Sequence, residues 1–247
     1  MDIHKPKPWH GVREFLKEYA IIVIGVLTAL AAEQAVEWVH WRHQLRDAQD
    51  AMRLELQYDD LPQAIARAAI EKCLAQQLDG IQAAIDARAD RAQVRRLAEA
   101  YSPPRRTWDE EAWRAAASSQ IASHMSPRVM VIWSGPYAVV PALGALNDKE
   151  QSDRILLLAG RRSLGDASEA EEERWLVAIE NLRHENDGIA YGALTLLALA
   201  KNAGVVVSKQ SEQRVIGEMR TEYGSCVATP NPSLINPESQ LNPAGRP

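Results

Sequence analysis

The chain has 247 residues, 46% hydrophobic and 25% charged, a balance that supports a buried core and excludes wholesale disorder. Lys and Arg total 28 against 33 Asp and Glu, a formal net charge of -5 with no basic block, which excludes the electrostatic footprint of a nucleic-acid binder. Two cysteines exclude a disulfide-rich scaffold and a Cys-based zinc site.

The first landmark in chain order is an uncharged run from Tyr19 to Ala32. A bilayer-spanning helix needs about 20 apolar residues, so the run alone fits a span, a buried core helix or the apolar part of a signal peptide. Its flanks favour the span. Trp9, Phe15 and Tyr19 lie on one side and Trp38 and Trp41 on the other, like the aromatic belts of the two membrane interfaces. Tyr19 to Trp38 covers roughly 28 Å of helix, close to a hydrocarbon core of about 30 Å. Glu33, Gln34 and Glu37 then fall at the far edge, where they sit among headgroups, pair with a partner, or mark a short span in a thinned bilayer.

A cleavable signal peptide would use the small residues Ala29-Leu30-Ala31-Ala32 as its processing site. Against it, Asp2, Glu14 and Glu18 are acidic residues in the segment ahead of the run, and the helical pattern continues past Ala32. Lys5, Lys7, Arg13 and Lys17 precede the run, whereas only Arg42 and Arg46 closely follow it. By the positive-inside rule, residues 1–18 are expected in the cytoplasm, 19–40 as an anchor and 41–228 as an extracytoplasmic helical domain.

The segment Ile22-Val-Ile-Gly-Val-Leu-Thr-Ala-Leu30 resembles the N-terminal signature of a broad group of bacterial single-pass membrane proteins of unknown function. That signature reads roughly (I/V)-(I/V)-x-(I/V)-G-(I/V)-L-I-A-L and leads into a polar, Trp-containing helix; Thr28 stands where Ile is more usual. Proteobacterial members are also similar in a Cys in the second helix, a Trp-rich middle and a Cys near the end, matched here by Cys73, by Trp108 to Trp133 and by Cys226. The resemblance implies a bacterial single-pass membrane protein and no chemistry; with the charge asymmetry above, the expected location is the inner membrane with the main domain in the periplasm.

Downstream the pattern is helical almost throughout, so the expected fold is all-α: a transmembrane helix continuing into a helical bundle. Trp38, Trp41, Leu45, Ala48 and Met52 form an a/d seam, which predicts an unbroken helix to near Tyr58. Pro62 suits the first turn of a second helix, with Ile70, Leu74, Leu78, Ile81 and Ile85 on one face and an end near Ala89-Asp90. A short helix from Asp90 to Tyr101 follows. Thr107-Trp-Asp-Glu110 reads as a capping box opening a helix to about His124. Ser126-Pro127 starts an apolar stretch that Gly135-Pro136 and Pro141 should break into a kinked pair. Ser168-Glu-Ala-Glu171 is a second capping box, opening a helix towards Ala200. A last helix covers Lys209 to Tyr223, and residues 229–247, with five prolines, are expected to be a disordered tail.

Cys73 and Cys226 make one even pair, which an oxidising compartment could join, or they are two unrelated buried thiols. Joining them would stabilise the fold by roughly 5 kcal/mol in the chain-entropy account.

Candidate chemistry is sparse. Glu37 and His40 have the Glu-x-x-His spacing of di-iron bundles, but no second such motif exists, because Glu180 and His184 are four apart. His40 and His43 are alone as ligands. No nucleophile elbow, phosphate loop, dinucleotide fingerprint or zinc spacing occurs, so no enzyme activity, cofactor or metal is expected. Trp108, Trp113, Trp133 and Trp175 could line a ligand pocket or simply pack a core. Gly25, Ala29 and Ala32 form a small-residue face on the anchor, with Thr28 and Gln34 able to hydrogen-bond across it. The expected function is a non-enzymatic interaction or scaffold subunit at the inner membrane, binding lipid through its anchor and a protein partner or second copy. The alternative is a periplasmic ligand-binding module with a Trp-lined pocket.

Overall fold

A computed structural model describes residues 11–159 and 169–232. Among these residues the fold is all-α, with no strand. The expected opening of the tail, residues 229–232, is largely irregular, while 233–247 and Ser168 of the second capping box lie outside the described residues.

The chain divides into two compact units, residues 1–47 and 48–247. Helix α1 (Gly11–Glu55) runs through the boundary, as expected for a sequence with neither Pro nor Gly between Gly25 and Pro62. The helix does not stop where a break was expected. Leu56–Asp60 adopts a π-helical turn and passes directly into α2 (Leu61–Asp86), whose Pro62 sits in the first turn, where its missing N–H costs nothing.

In the second unit α2 is the central element. Its expected face, Ile70, Leu74, Leu78, Ile81 and Ile85, is entirely buried. It packs against Trp175, Ile179 and Leu182 of α7 (Glu169–Asn202) and Val215, Ile216 and Met219 of α8 (Lys209–Tyr223). Val94 and Ala98 of α3 (Arg91–Ala100) close the same core. Asp90 caps α3 by accepting from the Gln93 N–H, and Ser208 caps α8 by accepting from the Ser211 N–H.

Two expectations fail locally. Thr107 to Glu110 is not a capping box: α4 (Glu111–Ser118) starts after Glu110, and α5 (Ile121–His124) is a separate turn. Asp109 instead donates its backbone N–H to Asp60, and Glu55 accepts the Ala112 N–H, so carboxylates remote in sequence take the capping role. The apolar stretch after Ser126 is also not a broken pair. α6 (Pro127–Ala159) is one helix that carries Pro136 and Pro141 inside it. It packs lengthwise against α7. The helices approach closely there: a Cβ on Gly192 would lie 2.8 Å from Leu143 Cδ2, and one on Gly188 would lie 3.1 Å from Leu146 Cδ1.

Cys73 of α2 and Cys226, at the end of the 3-10 turn Gly224–Cys226, are within disulfide distance, with Cα atoms 5.3 Å apart. The next residues continue the attachment, as Val227 is buried and the Ala228 N–H donates to the Ala69 carbonyl at 3.0 Å.

Candidate functional site: an apolar helix surface and a buried charged layer

Among the described residues two helices are long and apolar enough to cross a membrane, and they differ in how far their apolar residues are buried. In the most apolar 18-residue stretch of the continuous helix from Gly11 to Asp86 no residue is buried, against 28% in the corresponding stretch of Pro127–Leu158. Ile21, Ile22, Ile24, Val26, Leu27 and Leu30 are all more than half exposed. A helix that is apolar on every side fits a hydrocarbon surround, whereas one with a single buried stripe fits a protein core. Transferring such a row of side chains out of water is worth on the order of 10 kcal/mol at about 25 cal/mol per Å².

The association residues expected on this helix are all exposed: Gly25, Ala29, Ala32 and Gln34. Nothing lies within 4 Å of a Cβ placed on Gly25. Thr28 donates its hydroxyl to the Ile24 carbonyl at 2.8 Å, one turn back in its own helix. At the far end the Arg42 guanidinium lies 4.6 Å from the Trp38 ring centroid, and the Trp41 indole N–H donates to Glu37. Glu37, His40 and His43 are exposed, and among the described residues no group of three or more His, Cys, Asp or Glu is placed to hold a metal. Of the expected seam only Met52 is fully buried.

Sequence reasoning missed a layer of charge inside the second unit. Arg67 of α2 and Glu150 of α6 form an ion pair at 2.6 Å with side chains 1% and 0% exposed. The pair is incompletely bonded: Arg67 Nε and Nη1 and Glu150 Oε2 have no hydrogen-bond partner among the described residues. Beside it lie the buried Tyr101 phenol and the Arg154 guanidinium, whose Nε–H donates to the Tyr101 carbonyl at 2.9 Å. Burial raises the Tyr101 phenol above its ordinary range, with Glu150 adding to the effect. Burial also pushes the Glu150 carboxyl upward, against the opposing pull of Arg67.

Next to Glu150 on α6, the Lys149 ammonium donates to Glu185 of α7 at 2.6 Å and lies 3.9 Å from Asp153. The Glu185 side chain is fully buried. Burial pushes its carboxyl up to about 7; Lys149 opposes this and the facing Asp153 carboxyl adds to it. The only sequence signal for the layer is Arg67, a single charge in the run Ala64-Ile-Ala-Arg-Ala-Ala-Ile70. Glu150, Asp153 and Glu185 stand in polar stretches that read as surface.

A second acidic group surrounds the π-helical turn. Glu55, Asp59, Asp109 and Glu111 line an open cavity of about 650 Å³, and Asp60 is buried behind them. Burial pushes the Asp60 carboxyl up to about 7; the Asp109 N–H opposes this, and Glu55, Asp109 and Asp59 add to it. A smaller cavity of about 160 Å³ lies between α2, α7 and the Val205 to Val207 connection. Neither cavity is lined by tryptophan. Trp133 and Trp175 are buried, and Trp113 stacks on Tyr137 with centroids 5.8 Å apart.

No protein-family model, curated protein or solved structure matches this chain.

Proposed function

We propose that the protein is a single-pass inner-membrane protein whose helical domain lies in the periplasm and serves as a non-enzymatic interaction or scaffold subunit. The observation that supports the anchor is the apolar surface of α1 around Ile21 to Leu30, none of it buried by the described residues. Lipid is the cover that matches a surface apolar on all sides. The charge asymmetry of the flanks supports the orientation: Arg13 and Lys17 join Lys5 and Lys7 ahead of the span, against Arg42 and Arg46 after it. The pairing of Cys73 with Cys226 supports the same side, because such bonds persist in oxidising compartments. The exposed small-residue face at Gly25, Ala29 and Ala32 is the surface offered to a partner helix or a second copy.

The test is alkaline carbonate extraction of membranes, combined with gel-shift by a thiol-reactive polyethylene glycol before and after reduction. Retention in the pellet, with both cysteines reactive only after reduction and no disulfide-linked dimer, supports the reading. Release by carbonate defeats the anchor, and immediate reaction of both thiols defeats the periplasmic placement. Crosslinked membranes that yield only monomer and no specific partner defeat the scaffold role.

A further inference from the structure

The geometry points to a proton-operated latch between α6 and α7, built from Lys149, Asp153 and Glu185, that is closed below neutral pH and loosened above it. Two carboxylates from facing helices share one ammonium, at 2.6 Å to Glu185 and 3.9 Å to Asp153. Glu185 is fully buried and Asp153 nearly so, while Lys149 is about half exposed and offers the layer its route to solvent. Glu185 Oε2 has no donor among the described residues. Both oxygens facing across this contact are acceptors, so they bond to each other only when one carboxyl carries a proton.

The charge count sets the direction. With one proton on the carboxyl pair, the two acids and Lys149 sum to zero. With none, a net negative charge stays inside the bundle, where its desolvation is uncompensated. Among the described residues Lys149 is the one cation within ion-pair distance of either carboxylate, and the surrounding groups bond elsewhere. From α2, Arg67 is committed to Glu150; from the end of α3, Tyr101 is a neutral phenol; on α6, Arg154 donates to the Tyr101 carbonyl. On α7, Arg183 bonds Asp79 and Gln82 of α2, and Asn186 donates to the Glu71 carbonyl. His184 is exposed. The helices pack closely one and two turns away, Gly188 on Leu146 and Gly192 on Leu143, so strain at the charged layer opens a defined segment.

A carboxyl raised from 4.5 to about 7 weakens closure about tenfold between pH 6 and pH 8. The experiment is amide hydrogen exchange on the full chain in detergent micelles, corrected for the intrinsic pH dependence of exchange. An Asp60→Asn background removes the other buried carboxyl that titrates near neutrality. The α6 and α7 segments around Lys149 and Glu185 should lose about tenfold protection from pH 6 to pH 8. Glu185→Gln should abolish that dependence and keep the segment protected at pH 8. Lys149→Met should move the midpoint upward and Asp153→Asn should move it downward. A dependence unchanged in Glu185→Gln overturns the latch. So do unmoved or oppositely moved midpoints in the other two variants, which decide the matter if Glu185→Gln does not fold.

Discussion

Arg67→Met isolates what the buried ion pair contributes. The guanidinium is 1% exposed and meets Glu150 at 2.6 Å, and the carboxylate it leaves behind is fully buried. Methionine fills much of the same volume, so the main loss is electrostatic rather than a cavity. Stranding one member of a buried pair costs about 3–5 kcal/mol. Glu150 has a way to limit that cost, since burial already raises its carboxyl and removing Arg67 lets it take up a proton. The loss should therefore be smaller at pH 5 than at pH 8. Arg67→Met with Glu150→Leu removes both charges together with the unbonded Arg67 Nε and Nη1 and Glu150 Oε2, and should fall within about 1–2 kcal/mol of the parent or exceed it. The assay is urea unfolding of the full chain in detergent, followed by the fluorescence of Trp133 and Trp175, both buried. A double variant as unstable as the single one would refute the reasoning, because the pair would then be a net source of stability.

Asp60 and Glu185 both titrate near 7 in the fold, above the usual carboxylate range, so the folded state holds protons that the unfolded chain releases. Stability should be highest in mild acid, decline as pH rises from about 4 to about 7, and level off beyond. Asp60→Asn, whose amide oxygen can still accept the Asp109 N–H, should roughly halve the decline, read as thermal midpoint against pH. Gly192→Ala should cost about 1–3 kcal/mol by forcing Leu143 from its place, while Gly80→Ala, with nothing within 4 Å, should gain up to about 1 kcal/mol from helix propensity; thermal unfolding compares the two. Replacing Cys73 and Cys226 together by Ser should lower stability by up to about 5 kcal/mol for their separation of 153 residues, and a reducing agent should then leave the variant's midpoint unmoved.

Periodicity and end signals in the sequence carried the all-α class and most helix boundaries, because they act locally. Pro62, Asp90 and Ser126 all begin helices where their side chains or missing N–H suit a first turn. The failures are the places where a distant residue decides. Pro136 and Pro141 read as breakers, yet α6 stays whole and packs along α7, a contact that local sequence does not announce. Thr107 and Glu110 have the right spacing for a cap, but Asp60 and Glu55, about fifty residues earlier, supply the acceptors. The π-helical turn has no signal beyond the lack of a breaker before Pro62. The charged layer was the least legible part. Whether Glu150 or Glu185 faces water or a helix depends on which neighbour the fold brings to it, and single-sequence polarity does not hold that information.

The Cys73–Cys226 pairing also orders events during synthesis. Cys73 emerges well before Cys226, which lies 153 residues further along the chain. With only two cysteines, no wrong intramolecular connectivity exists, so the chain needs no reshuffling of its own bonds. The hazard is instead intermolecular: a nascent chain with its single thiol exposed can couple to another molecule. Early burial of Cys73 in the apolar face of α2 reduces that exposure, so mutations that slow the packing of α2 should appear first as mixed disulfides rather than as loss of helix.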